Sequence, residues 1–128
     1  MNTILIFYIL INYKHKMSKF DEMVSLYEGE MKELKISVDS ALLNAVTKGC
    51  GPVIYLPDAS KVSSSDQAEM GRVKTNFLIK KLGLTDGPEL DKGIQAAIDT
   101  MGSSNRNKYR AIFYYILVKH FKKESLYI

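Results

Sequence analysis

Cysteine occurs once, as Cys50, so the chain can build neither an internal disulfide nor a Cys-rich zinc cluster, and a reducing compartment, the cytoplasm, is expected. Histidine occurs twice, as His15 and His120, too few for a zinc site that needs several correctly spaced ligands. No HExxH, EF-hand loop, GxGxxG, Walker or GxSxG pattern is present, so no established catalytic signature points to an enzyme, and no cofactor is expected. There is no internal repeat, and no low-complexity tract beyond Ser63-Ser64-Ser65. The longest apolar run, Ile4 to Ile11, falls well short of the ~20 residues that cross a bilayer, so no membrane span is expected. Nor does it resemble a secretory signal, because its basic residues, Lys14, His15 and Lys16, follow the apolar run instead of preceding it.

What the chain does have is ordinary globular chemistry. A hydrophobic fraction of 46% with 25% charged residues suits a folded protein, and 128 residues suit one domain with one core. Met17-Ser18-Lys19 looks like a natural start just before a well-patterned helix. Residues 1–16 are therefore expected to be a non-native or disordered extension, with a peripheral membrane anchor as the alternative, and 17–128 the domain. The net charge of +4 is uneven: residues 17–60 hold four Lys against seven Asp/Glu, residues 61–128 twelve Lys/Arg against seven. The later half is cationic and fits an anionic partner, with nucleic acid as one weak alternative.

The apolar periodicity predicts an all-α, compact four- to five-helix domain. Phe20, Met23, Val24, Tyr27, Met31 and Leu34 recur at three- and four-residue steps, opposite a face of acids. Val38-Asp39-Ser40 caps a short second helix through Leu42, Leu43 and Val46, which Gly49-Cys50-Gly51-Pro52 ends. Residues 52–65 lose the period and read as a loop with one short turn around Val53-Ile54-Tyr55. Ser64 with Gln67, or Asp66 with Glu69, forms a capping box for a third helix through Leu82, closed by Gly83. Asp86-Gly87-Pro88-Glu89 opens a fourth, closed by Gly102. Ser103-Ser104-Asn105 caps a last helix whose run Ala111 to Val118 is apolar nearly all round, as a central, largely buried element should be.

Three places invite a chemical reading. Cys50 lies between glycines at a helix C-terminus, where the dipole disfavours thiolate, so a pairing with His120 is not favoured. Tyr109, Tyr114 and Tyr115 could stack on bases, but in so apolar a helix the majority of them are expected in the core. The third and fourth helices loosely resemble a helix-turn-helix, with too long a connection and an acidic second helix. The sharpest anomaly is Arg106, Lys108 and Arg110 at the positive end of the last helix, with no acid between Ser103 and Arg110. On a helix Arg106 and Arg110 share a face beside the hydroxyls of Ser103 and Ser104, and these four residues form the candidate anion site. The competing reading pairs the arginines with acids such as Asp99 or those of the first helix.

Beside this stands a family resemblance. The stretches Ala41 to Gly49, Asn76 to Leu84 and Ser104 to Ala111, followed by Phe113-Tyr114-Tyr115 and Val118 to Phe121, resemble DUF2853, a family of small, mainly bacterial proteins of unknown function. The resemblance runs from about Met17 to Tyr127. It implies a compact helical cytoplasmic protein and brings no activity, ligand or catalytic residue. The functional expectation is thus a non-enzymatic binding or adaptor module for an anionic ligand or acidic protein surface, with an enzyme of unrecognised site as the rival.

Overall fold

Capping side chains set the starts of the first three helices. The computed structural model describes residues 17–128, so the expectations about residues 1–16 lie outside the described residues. Helix α1, Lys19–Glu33, starts behind Ser18, whose hydroxyl accepts the Asp21 N–H at 3.1 Å, and it buries Val24, Tyr27 and Met31. Helix α2, Ser40–Cys50, starts behind Asp39, whose carboxylate accepts the Leu42 N–H at 3.2 Å. It buries Leu42, Leu43, Val46 and Thr47, then stops at Gly51, whose φ of 72° is left-handed and favours glycine. Pro52 follows in a 3-10 turn, Gly51–Tyr55, where the sequence suggests a short turn.

Helix α3, Gln67–Arg72, is capped by Asp66, which accepts from the Ala68 and Glu69 N–H groups. The sequence predicts one helix through Leu82; the chain instead continues from Val73 to Lys81 as a π-helix. Bonds from residue i to i+5 broaden the turn, so residues four and five apart share a side. Val73, Phe77, Leu78 and Leu82 follow that wider step and are all buried. Gly83, with φ of 72°, ends the segment as expected. Helix α4, Pro88–Met101, carries Glu89 and Asp91 in its first turn and closes at Gly102.

The last helix, α5, Arg110–His120, begins later than the sequence predicts. Asn105 does not cap it. Its side-chain amide donates back to the Met101 carbonyl at 3.0 Å and accepts the Asn107 N–H at 2.8 Å, so it finishes α4 and shapes the following loop. The next residues pair with the loop before α3: the Val62 N–H donates to the Lys108 carbonyl and the Arg110 N–H to the Ser60 carbonyl, both at 2.8 Å. From Arg110 onward α5 packs against α2, α4 and α1, with Ala111, Ile112, Phe113, Tyr115, Leu117 and Val118 buried. The five helices form one domain around this central helix, with no strand among the described residues. Among the described residues no helix is long and apolar enough to cross a membrane.

Candidate functional site

The two loops that pair across Lys61 and Tyr109 also form the walls of a cleft of about 820 Å³. One wall runs from Pro57 to Ser65, the other from Ser103 to Lys108. Three of the four sequence candidates, Ser103, Ser104 and Arg106, therefore meet here, although not as a helix face, since all three lie in the loop before α5. Each is exposed to solvent. Ser63, Ser64 and Ser65 line the opposite wall, and Asp58 is the single acid among the lining residues, against Lys61, Arg106 and Lys108.

Arg110, the fourth candidate, does not line this cleft. Its guanidinium is consumed inside the fold: Nε donates to the Ala59 carbonyl at 2.9 Å, Nη1 to the Tyr114 hydroxyl at 3.1 Å, and Nη2 to the Lys61 carbonyl at 3.3 Å and the Glu69 carboxylate at 2.9 Å. With side chains 17% and 16% exposed, Arg110 and Glu69 make a well-shielded ion pair. Structural pairing is thus where Arg110 goes, but its partner is Glu69 of α3; Asp99 accepts instead from Gln95 of its own helix. Burial pushes the Glu69 carboxyl up, but hydrogen bonds from Arg72 and Arg110 outweigh it and hold its pKa below the usual range.

Lys108 belongs to the basic cluster named from the sequence but not to its four candidate site residues, and the structure sets it apart. It is 2% exposed, and its ammonium donates to the carbonyls of Ser103 and Asn105, in the wall of the cleft. Neither acceptor carries a charge. Among the described residues Lys108 forms no ion pair, and residues 1–16 contain no acid. Burial pushes its pKa down, the direction expected of an ammonium taken from water without a counter-charge. A third N–H remains beyond the two carbonyl bonds. Nothing in the local sequence separates this lysine from its exposed neighbours; its burial comes from the pairing of residues 60–62 with 108–110, a contact between segments far apart in the chain.

The other chemical candidates fall elsewhere. Cys50 faces a smaller cavity of about 260 Å³ with Asn76, Lys81, Tyr114 and Tyr127, and burial pushes its thiol up to about 11, away from nucleophilic thiolate. His120 lies against Gly93 of α4 beside Phe121, outside that cavity. The three tyrosines are engaged within the fold. Tyr109 packs on Tyr27 and under the Lys61 ammonium, and Tyr114 stacks on Phe77 with ring centroids 3.8 Å apart. Tyr115 donates to the Ser37 carbonyl at 2.8 Å and accepts the Asp39 N–H at 2.9 Å, tying the α1–α2 loop to α5. No three His, Cys, Asp or Glu side chains converge among the described residues as a metal site would need.

No curated protein matches the chain. Residues 26–125 match a family described as "Protein of unknown function (DUF2853)", and because that match spans most of the sequence and all five helices in whole or part, the chain belongs to the DUF2853 family.

Proposed function

We propose that this protein is a non-enzymatic binding module that captures an anionic group in the cleft between residues 57–65 and 103–108. The observation that carries the reading is Lys108: a buried lysine whose ammonium is held by carbonyl dipoles, with no ion pair among the described residues, in a wall of this cleft. A buried charge without a counter-charge is expensive, and an anionic ligand in the cleft would supply the missing counter-charge. Lys61 and Arg106 add positive charge at the same cleft, and the serines on both walls offer hydroxyl donors to a phosphate or carboxylate. Arg110 supports the cleft from behind by holding the carbonyls of Ala59 and Lys61, and does not enter it.

The test is calorimetric titration of the full chain with inorganic phosphate and with phosphoserine, at two salt concentrations. Binding is expected to weaken with added salt, and to weaken about tenfold in Arg106→Ala, the loss of one charge-assisted contact. Lys108→Met, which removes the buried charge, is expected to lose affinity while keeping or raising thermal stability. Absence of any anion binding by the unaltered chain, or full binding by both variants, would overturn the proposal.

A further inference from the structure

A second concavity, about 410 Å³, adjoins the anion cleft and differs from it in chemistry. Its apolar side chains are Met23 and Leu26 from α1 and Ile54, Tyr55 and Leu56 from the 3-10 turn and the residue after it. Leu26, Tyr55 and Leu56 are among the large apolar side chains that the fold leaves exposed. Lys19 and Glu22 stand at its edge, so this is an apolar patch with a polar rim, the pattern of a surface that receives a protein partner. Pro57 and Lys61 line both the groove and the anion cleft. A cationic cleft and an apolar groove thus share one wall.

We infer that the ligand is an extended segment of a partner protein, carrying an acidic or phosphorylated residue for the cleft and a large apolar side chain for the groove. The inference rests on the anion-binding reading above and names the class of molecule that bears the anion. Charge complementarity selects the anionic residue, and the exposed Leu26, Tyr55 and Leu56 select the apolar one. A peptide joins two such side chains through a polar backbone, which suits a dividing wall that includes Lys61. An extended chain advances about 3.3 Å per residue, so anchors one to four positions apart span neighbouring compartments. The two-part arrangement follows the usual energetics of such sites: an apolar anchor contributes most of the affinity, and the charge fixes register and excludes wrong partners.

The experiment uses the full chain and fluorescein-labelled peptides that carry one phosphoserine or one glutamate, with leucine placed one to four positions away. Fluorescence anisotropy is read for each peptide and for its leucine-to-alanine counterpart, with inorganic phosphate as competitor. The expected result is that one spacing binds best, that its leucine-to-alanine counterpart binds about tenfold more weakly, and that Leu26→Ser and Leu56→Ser in the protein reproduce this loss. Those two variants should leave binding of inorganic phosphate unchanged, whereas Arg106→Ala should weaken both ligands. If phosphate binds but leucine adds nothing at any spacing, the two-part ligand is wrong and the anion site stands. If phosphate itself does not bind, the underlying anion reading fails first. Tighter capture by vesicles of phosphatidylserine than by every peptide, lost in Leu56→Ser, would assign the groove to a lipid surface and overturn the inference.

Discussion

Glu69 provides the acid that the first turn of α5 lacks. The arginine at the start of that helix would otherwise add to the positive end of its dipole, yet it turns away to meet a carboxylate from α3. Glu69 is read from the sequence as a first-turn acid of its own helix, which it is, so its second role across the fold leaves no local trace. This pair carries a pH dependence of definite sign. The folded-state pKa of Glu69 is held down, so its stabilisation is present above the unfolded carboxyl value, near 4.3, and is lost as pH falls through the lower folded value. Glu69→Gln should cost about 2–3 kcal/mol at pH 7, between the values for exposed and fully buried pairs. Urea unfolding at pH 7 and at pH 3 checks it: the difference between the two proteins should shrink at the lower pH. A difference that persists unchanged would mean the packing of the side chain matters and its charge does not.

At the scale of elements, helix starts written in short side chains are legible and those made by distant backbone are not. Asp39 and Asp66 lie beside the N–H groups that they cap and are legible as caps from spacing, Asp66 as one of two alternatives; Ser18, equally local, is read only as part of a start. The start of α5 is set by Ser60 and Lys108 carbonyls that pair residues some 48 positions apart, and no local spacing encodes that. The π-helical course of residues 73–81 left a faint sign in its four- and five-residue apolar steps, which a search for ordinary helical spacing absorbs without notice. Glycines separate the same two kinds of information. A methyl group placed on Gly93 would stand 2.3 Å from the Phe121 ring, which records how closely α4 approaches the end of α5. Gly29 in α1 has nothing within 4 Å of that position. Gly29→Ala should therefore stabilise the protein by about 0.5–1 kcal/mol through helix propensity. Gly93→Ala has the same propensity gain but must displace an aromatic ring, and a net loss of about 1–2 kcal/mol is expected. Chemical denaturation of both variants tests the contrast, and Gly93→Ala in a Phe121→Ala background should recover the propensity gain. If Gly93→Ala alone stabilises, the two helices are not held at that distance by this contact.

For the whole molecule, the cleft proposed to bind an anion is a by-product of how one central helix is entered. The chain leaves α4 at Gly102, crosses residues 103–109 and turns into the core at Arg110, and residues 103–108 of that crossing form one wall of the cleft. Cleft and core are consequently joined at Tyr109 and Arg110, yet their chemistry is separate: Phe113, one turn further on, is fully buried and touches none of the cleft. That separation yields a prediction for each half. Removing the Phe113 ring should cost ~3–5 kcal/mol by lost burial and an unfilled cavity, a large share of the ~5–15 kcal/mol that holds a domain of this size. In urea the midpoint of Phe113→Ala should fall while the slope of the transition stays constant, since the surface exposed on unfolding hardly changes. Measured where the variant remains folded, its affinity for phosphate should equal that of the unaltered chain, because the walls hang from backbone bonds between residues 60–62 and 108–110. A near-neutral midpoint would contradict the central place of α5. A full loss of stability joined to a loss of phosphate binding in the folded variant would show that the cleft is shaped by core packing, and that the bridge between the two loops cannot hold it alone.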